Sequence, residues 1–317
     1  MNKPHSVYTI DRSPTSPGNM AHDADGNPDH PYMAHDADRS TDDPYMAADA
    51  TAVQPYANTP AGADNAPITS IATRFGAAAQ HYDAHAHVQR EVAVRLADKI
   101  ADLPRPARPK VLEIGCGTGL LTQALAQRLG AADWTITDIS PQMLAVAQSG
   151  PALPGTARFQ VVDGEHPDSL NGGYDIVCSS LAVQWFTDLN NGLARLSRLL
   201  KRGGYLVVAT LAQETFHEWR TAHQALGLTP ATPSYPTSHV IGANLTDMCG
   251  GVHSEPYVYR HENGLAFLRD LRHIGATTPA PGHIPLSARQ LRQVLKQFDQ
   301  SGATSTYQVA YGIWKKP

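Results

Sequence analysis

Glu113-Ile-Gly-Cys-Gly-Thr-Gly119 is the stretch whose residue types and spacing carry the most chemistry. Glycines let a backbone turn sharply and approach a ligand closely, because no Cβ stands in the way. Dinucleotide-binding turns space them Gly-x-Gly-x-x-Gly, so that a helix N-terminus receives pyrophosphate. Here they fall at Gly115, Gly117 and Gly119, and an acid, Glu113, precedes the first by two residues. A carboxylate beside the turn suits a cationic ligand better than a phosphate.

Two further acids follow the same logic. Asp138 ends the next apolar run, 25 residues after Glu113, where its carboxylate can accept both hydroxyls of a ribose. Asp163 ends the third run, where it can accept an adenine amino group. Each residue has a plainer role open to it: a tight strand-to-helix turn, a helix cap, or a turn aspartate before Gly164. Three acids at the ends of three successive runs form the stronger pattern. S-adenosylmethionine, with a cationic amino-acid end, a sulfonium, a ribose diol and an adenine, fits it.

The elements that must position these groups alternate along the chain. Val88, Val92, Leu96, Ile100 and Leu103 recur at helical spacing, and Pro104, Pro106 and Pro109 stop that helix. Strands are expected at 110–114, 134–138, 158–162, 174–179 and 205–210. Between them lie a helix carrying Leu121, Leu125 and Leu129, one capped by Ser140-Pro141, and one over 193–200 that Lys201-Arg-Gly-Gly204 breaks. Such alternation implies right-handed crossovers and a mostly parallel α/β sheet. Helices at 215–226, 265–274 and 287–298, with strands at 253–259 and 304–314, complete the chain. That order suits a helical lid insertion at about 212–250, covering the site, and a last strand inserted antiparallel.

From Lys110 to Thr210 the chain resembles the class I S-adenosylmethionine-dependent methyltransferases. The resemblance implies a Rossmann-like, seven-stranded sheet with the cofactor over the first two strands. It assigns Glu113, Gly115, Gly117, Gly119, Asp138 and Asp163 to cofactor binding. It also makes Cys178-Ser-Ser-Leu-Ala-Val-Gln-Trp185 the fourth strand and the loop facing the methyl donor, which adds Ser180 to that set. Within that class, Arg74-Phe-Gly-Ala-Ala-Ala-Gln-His-Tyr82, Ala84-His-Ala-His-Val-Gln89, Leu181-Ala-Val-Gln-Trp185 and several later segments are similar to the malonyl-acyl-carrier-protein O-methyltransferases of biotin synthesis. The implied reaction esterifies the free carboxylate of a malonyl thioester, on carrier protein or on CoA. Tyr82, Gln184 and Arg272 are the implied substrate-side residues, with Gln89 and Trp185 beside them. A core aromatic, loop-stabilising glutamines and an exposed helix arginine are their plainer roles. Rival activities are another small-molecule methyltransferase of this fold, acting on a free acid or quinone precursor, and a non-catalytic cofactor-binding scaffold. A nicotinamide dehydrogenase is disfavoured by the glycine spacing.

Composition bounds the rest. The 317 residues carry 25 bases and 29 acids, but residues 1–70 hold ten of those acids and three of the bases. The folded part, 71–317, is therefore slightly basic, with 22 bases and 19 acids. Met-Ala-His-Asp-Ala-Asp occurs at 20–25 and again at 33–38, in a segment too poor in apolar residues to offset its ordering entropy, so 1–70 is expected to be a disordered tail. A dedicated nucleic-acid binder would be more basic. No apolar run is long enough to span a membrane. Cys116, Cys178 and Cys249 form no disulfide framework, which points to a reducing, cytoplasmic setting. His81, His85 and His87 match no zinc tetrad or His-Glu-x-x-His pattern, so no metal is expected. Arg260, Arg269, Arg272, Arg289, Arg292 and Lys296 are candidate contacts for an acidic carrier protein.

Overall fold

A computed structural model describes residues 66–276, 279–280 and 282–317. Residues 1–65 of the expected tail lie outside the described residues; 66–70 open helix α1. In chain order the elements are α1 (Ala66–Ala78), α2 (Tyr82–His85), α3 (His87–Ala101), β1 (Lys110–Ile114), α4 (Leu120–Leu129), β2 (Ala132–Asp138), α5 (Pro141–Ser149), β3 (Gly155–Val161) and β4 (Tyr174–Ser180). There follow α6 (Leu189–Arg198), β5 (Leu200–Leu211), α7 (His217–Gln224), β6 (Cys249–Arg260), α8 (Gly264–His273), α9 (Ala288–Gln300) and β7 (Thr304–Lys315).

The seven strands form one sheet in the order β3-β2-β1-β4-β5-β7-β6. β1, β2, β3, β4 and β5 pair in parallel, and β7 runs antiparallel to both β5 and β6. Strand order reverses beside β1, which has β2 on one side and β4 on the other. Loops leaving adjacent strand ends in opposite directions open a crevice at that point.

Strand side chains alternate between faces, so each apolar strand feeds two cores. On β5, Tyr205, Val207 and Ala209 join the layer that holds Leu96, Leu125, Trp219, Phe267 and Phe298. Leu206 and Val208 join the opposite layer with Leu193, Leu196 and Trp314. Val111 of β1 faces the first layer and Leu112 the second, so parity sends Glu113 to the side of α4. Among the described residues no helix is long and apolar enough to cross a membrane.

Two expectations shift. The helix expected at 193–200 begins at Leu189, because the Asp188 side chain accepts from the Asn191 N–H at 3.1 Å. This cap satisfies backbone that Asn190-Asn-Gly192, poor helix formers, would otherwise leave weak. Lys201-Arg-Gly-Gly204 does not separate helix from strand. β5 begins at Leu200 opposite Tyr174, and its register jumps so that Tyr205 pairs with Ile176.

Candidate active site

The carboxyl ends of β1, β2, β3 and β4 border a cavity with about 770 Å³ of empty space, its open mouth included. Gly115 and Gly117 form its floor after β1, Asp138 closes β2, Asp163 follows β3, and Leu181 and Ala182 follow β4. Ile71 and Phe75, four residues apart on α1, and Tyr82 on α2 line it from the N-terminal segment. The Phe75 ring meets Trp185 edge to face, with centroids 5.5 Å apart. No residue of 212–250 lines this cavity; the insertion instead packs Trp219 of α7 into the core.

The glycine loop is built for close approach. Gly115 has φ +66°, and a Cβ there would stand 2.3 Å from the Ala182 Cβ, so the loops after β1 and β4 touch only because it is glycine. Gly117 has φ +55° and nothing within 4 Å of where its Cβ would lie: that face of the backbone is open to the cavity. Gly119 lies outside the cavity lining and starts α4 with φ +94°.

Asp138 ties two loops together. Its Oδ2 accepts from the Gly117 N–H and its Oδ1 from the Ser140 N–H, each at 2.8 Å. Burial pushes its carboxyl above the usual range, and the backbone bonds partly offset that. Each oxygen retains capacity to accept a further hydrogen bond, and the residue lines the cavity. Asp163 Oδ1 accepts from the Glu165 N–H at 3.0 Å.

Glu113 sits behind the loop, 1% exposed and outside the cavity lining. Its Oε2 accepts from the Thr122 hydroxyl of α4 at 2.6 Å. Burial pushes its carboxyl up to about 8, with Asp138 adding to the shift and Thr122 opposing it. A group mostly protonated at neutral pH is a weaker attractor of cations than the simple picture of a charged loop acid.

Tyr82 lies in the cavity wall, and its hydroxyl has no hydrogen-bond partner among the described residues. Burial first, then the charges of Asp138 and Asp83, raise its pKa, so the phenol stays a proton donor. The other substrate-side candidates do not converge with it. Gln184 turns back into its own loop, donating to Leu181 O at 2.7 Å. Arg272 stands exposed in the last turn of α8, and neither it, Gln89 nor Ser180 lines the cavity.

Two features of the lining carry no sequence signal of their own: the backbone conformation of Leu181 and the loop-tying role of Glu165. Leu181 has φ +49°, a conformation costly for a branched side chain and favoured at constrained sites. Glu165 is buried and accepts from the Thr187 and Asp188 N–H groups at 2.7 and 2.8 Å, fixing the loop after β3 to the start of α6. An acid shortly after a strand, followed by Pro167, was the only available hint.

A methyltransferase-domain family model matches residues 111–204, the half-sheet and glycine loop just described. Over 254 residues the chain is 41% identical to the malonyl-acyl-carrier-protein O-methyltransferase of Magnetococcus marinus, covering 78% of this chain and 92% of that protein. The chain belongs to the malonyl-acyl-carrier-protein O-methyltransferase family. It is also 59% identical over 251 residues to the biotin biosynthesis bifunctional protein BioCD of Bordetella avium, covering 79% of this chain and 53% of that one. The chain thus spans about half the length of that bifunctional relative. Among solved structures it shares its fold with the YcgJ protein of Bacillus subtilis, at TM-score 0.50 and 16% identity, over 71% of this chain and 97% of that one. As a family member the chain uses S-adenosylmethionine. The open backbone at Gly117, the lone pairs of Asp138 and the apolar wall of Ile139 and Met143 fit such a ligand.

Proposed function

We propose that this chain methylates the free carboxylate of malonyl-acyl-carrier protein, or malonyl-CoA, to its methyl ester, an early step of biotin synthesis. One observation carries the substrate side: a phenol, Tyr82, lines the cavity with no hydrogen-bond partner among the described residues, on a chain that covers 92% of a malonyl-acyl-carrier-protein O-methyltransferase. Bound S-adenosylmethionine supplies a sulfonium methyl open to in-line displacement.

The residues then divide the work. Gly115, Gly117, Asp138 and Asp163 hold the cofactor, with Glu113 bracing the loop from behind. Tyr82 donates its hydrogen bond to the malonyl carboxylate without surrendering its proton. That carboxylate is already nucleophilic at neutral pH, so no general base is required. Phe75, Trp185 and Leu181 exclude water, which strengthens the remaining interactions and keeps the reactants aligned. Gln184 and Ser180 support the loop after β4.

The carrier protein docks on a basic face. Arg289, Arg292 and Lys296 are exposed at helical spacing on α9, and Arg269 and Arg272 are exposed on the adjoining α8. Arg272 guides the approaching substrate at this face. The free thiols Cys116, Cys178 and Cys249 suit a cytoplasmic protein.

The deciding experiment supplies labelled methyl donor with malonyl-acyl-carrier protein, malonyl-CoA and free short acids in parallel. Ester on a malonyl thioester is expected. Methylation of the free acids alone would sink the reading and favour a general small-molecule methyltransferase.

A further inference from the structure

We propose that His85, Asp270 and His273 form a divalent transition-metal site that clamps α2 to α8. His85 Nδ1 lies 3.5 Å from Asp270 Oδ1. The His85 and His273 rings stack with centroids 3.9 Å apart. One ligand atom from each of the three residues falls within 4.8 Å of the others.

The donor set indicates the class of ion. Two imidazoles and one carboxylate match the three-ligand zinc sites that keep a fourth position for water. Imidazole favours Zn²⁺, Ni²⁺ or Co²⁺ over the oxygen-seeking Mg²⁺ and Ca²⁺. Tetrahedral Zn–N bonds of about 2.05 Å place ligand atoms about 3.3 Å apart. In-plane lone pairs of stacked rings run side by side, so binding an ion would require the imidazoles to turn out of the stack until their nitrogens converge; both have room, His85 being partly exposed and His273 exposed.

An outer group already orients the carboxylate. His261 Nδ1 lies 3.3 Å from Asp270 Oδ2, and its Nε2 is 2.8 Å from the Ser305 hydroxyl of β7. Metal-binding carboxylates are commonly held this way, which fixes the free oxygen toward the ion. Asp270 and His273 lie three residues apart on α8, so helix geometry presents both on one face.

The location gives the site a consequence. His85 follows Tyr82 by one turn within the four-residue α2. An ion shared with α8 would hold this short helix, and the cavity wall it carries, against the body of the protein.

The test titrates zinc chloride alone into the 317-residue chain by calorimetry, comparing wild type with His273→Ala and, separately, His85→Ala. His273 is exposed, so its replacement should fold normally. Zinc taken up by histidines elsewhere is common to all three proteins and cancels in the comparison. Wild type should show one additional equivalent whose affinity falls at least about tenfold in either variant, since even outer-shell changes cost that much. Zinc should also slow amide hydrogen exchange across residues 82–87 in wild type only. Identical zinc isotherms for wild type and both variants would overturn the site.

Discussion

Asp138 Oδ2 holds the backbone N–H of Gly117 at 2.8 Å, so the carboxylate that ends β2 shapes the loop that follows β1. The other oxygen holds Ser140, and both contacts need an acceptor. Asp138→Asn leaves one position as an amide donor facing an N–H. We expect a loss of about 1–3 kcal/mol in stability, the cost of an unsatisfied buried group. Binding of S-adenosylhomocysteine should weaken at least about tenfold, because the loop it rests on is no longer tied. Calorimetry and urea melts check both; wild-type affinity in the variant would remove the loop-shaping role.

Tyr82→Phe tests the substrate side. The hydroxyl has no partner among the described residues, so its removal should leave the melting temperature within a degree or two and cofactor affinity within about twofold. Turnover of malonyl-acyl-carrier protein should fall at least about tenfold if the phenol holds the carboxylate. Full activity in the variant would leave Tyr82 as a wall residue only.

The buried carboxyl of Glu113 makes stability depend on pH. Its folded pKa, pushed up to about 8, exceeds its ordinary value of 4.5, so between those values the folded state binds the extra proton. Stability contributed by this group is therefore present at low pH and lost as pH rises toward 8. Glu113→Gln keeps an acceptor for Thr122 and carries no charge. The difference in unfolding free energy between variant and wild type should grow with pH across this window, by about 1.4 kcal/mol per unit at most. Parallel stability curves would show that Glu113 is not the group responsible.

Gly115 and Gly117 separate two kinds of constraint. At Gly115 an added methyl meets Ala182 at 2.3 Å on top of a positive φ, so Gly115→Ala should cost about 2–4 kcal/mol. At Gly117 nothing is near, and the cost should be only the left-handed backbone penalty of about 1–2 kcal/mol. Cofactor affinity should nonetheless fall in Gly117→Ala, since its methyl enters the cavity. Equal destabilisation of the two variants would contradict the loop contact.

Replacing Arg289, Arg292 and Lys296 by glutamate reverses the exposed face of α9. Association with malonyl-acyl-carrier protein should slow at least about tenfold at low salt and much less at high salt, as steering forces are screened. Rates on malonyl-CoA should change little. An unchanged association rate would place the carrier elsewhere.

Much of this protein is legible one segment at a time. Alternating apolar runs and helical stripes mark the strands and helices, because burial on both sheet faces demands them. Gly-x-Gly-x-Gly after β1, the acid ending β2 and the acid just after β3 mark the cavity rim, since parallel strands bring their ends to one side. Ser140-Pro141 starts α5 as its chemistry requires, with the Ser140 hydroxyl accepting from the Met143 N–H.

Tertiary structure decided what depends on distance through space. Periodicity cannot say that Glu113 lies behind the loop on Thr122, or that Gln184 folds back on Leu181. Nor can it show that α1, rather than the 212–250 insertion, carries Phe75 onto Trp185 over the cavity. His85 by itself matches no metal pattern; Asp270 and His273 reach it only because α8 packs beside α2. Local residue types determined the elements and the acids at the strand ends, because backbone preference and burial act over a few residues. Partners distant in the chain were decided only when packing fixed which helix faces which.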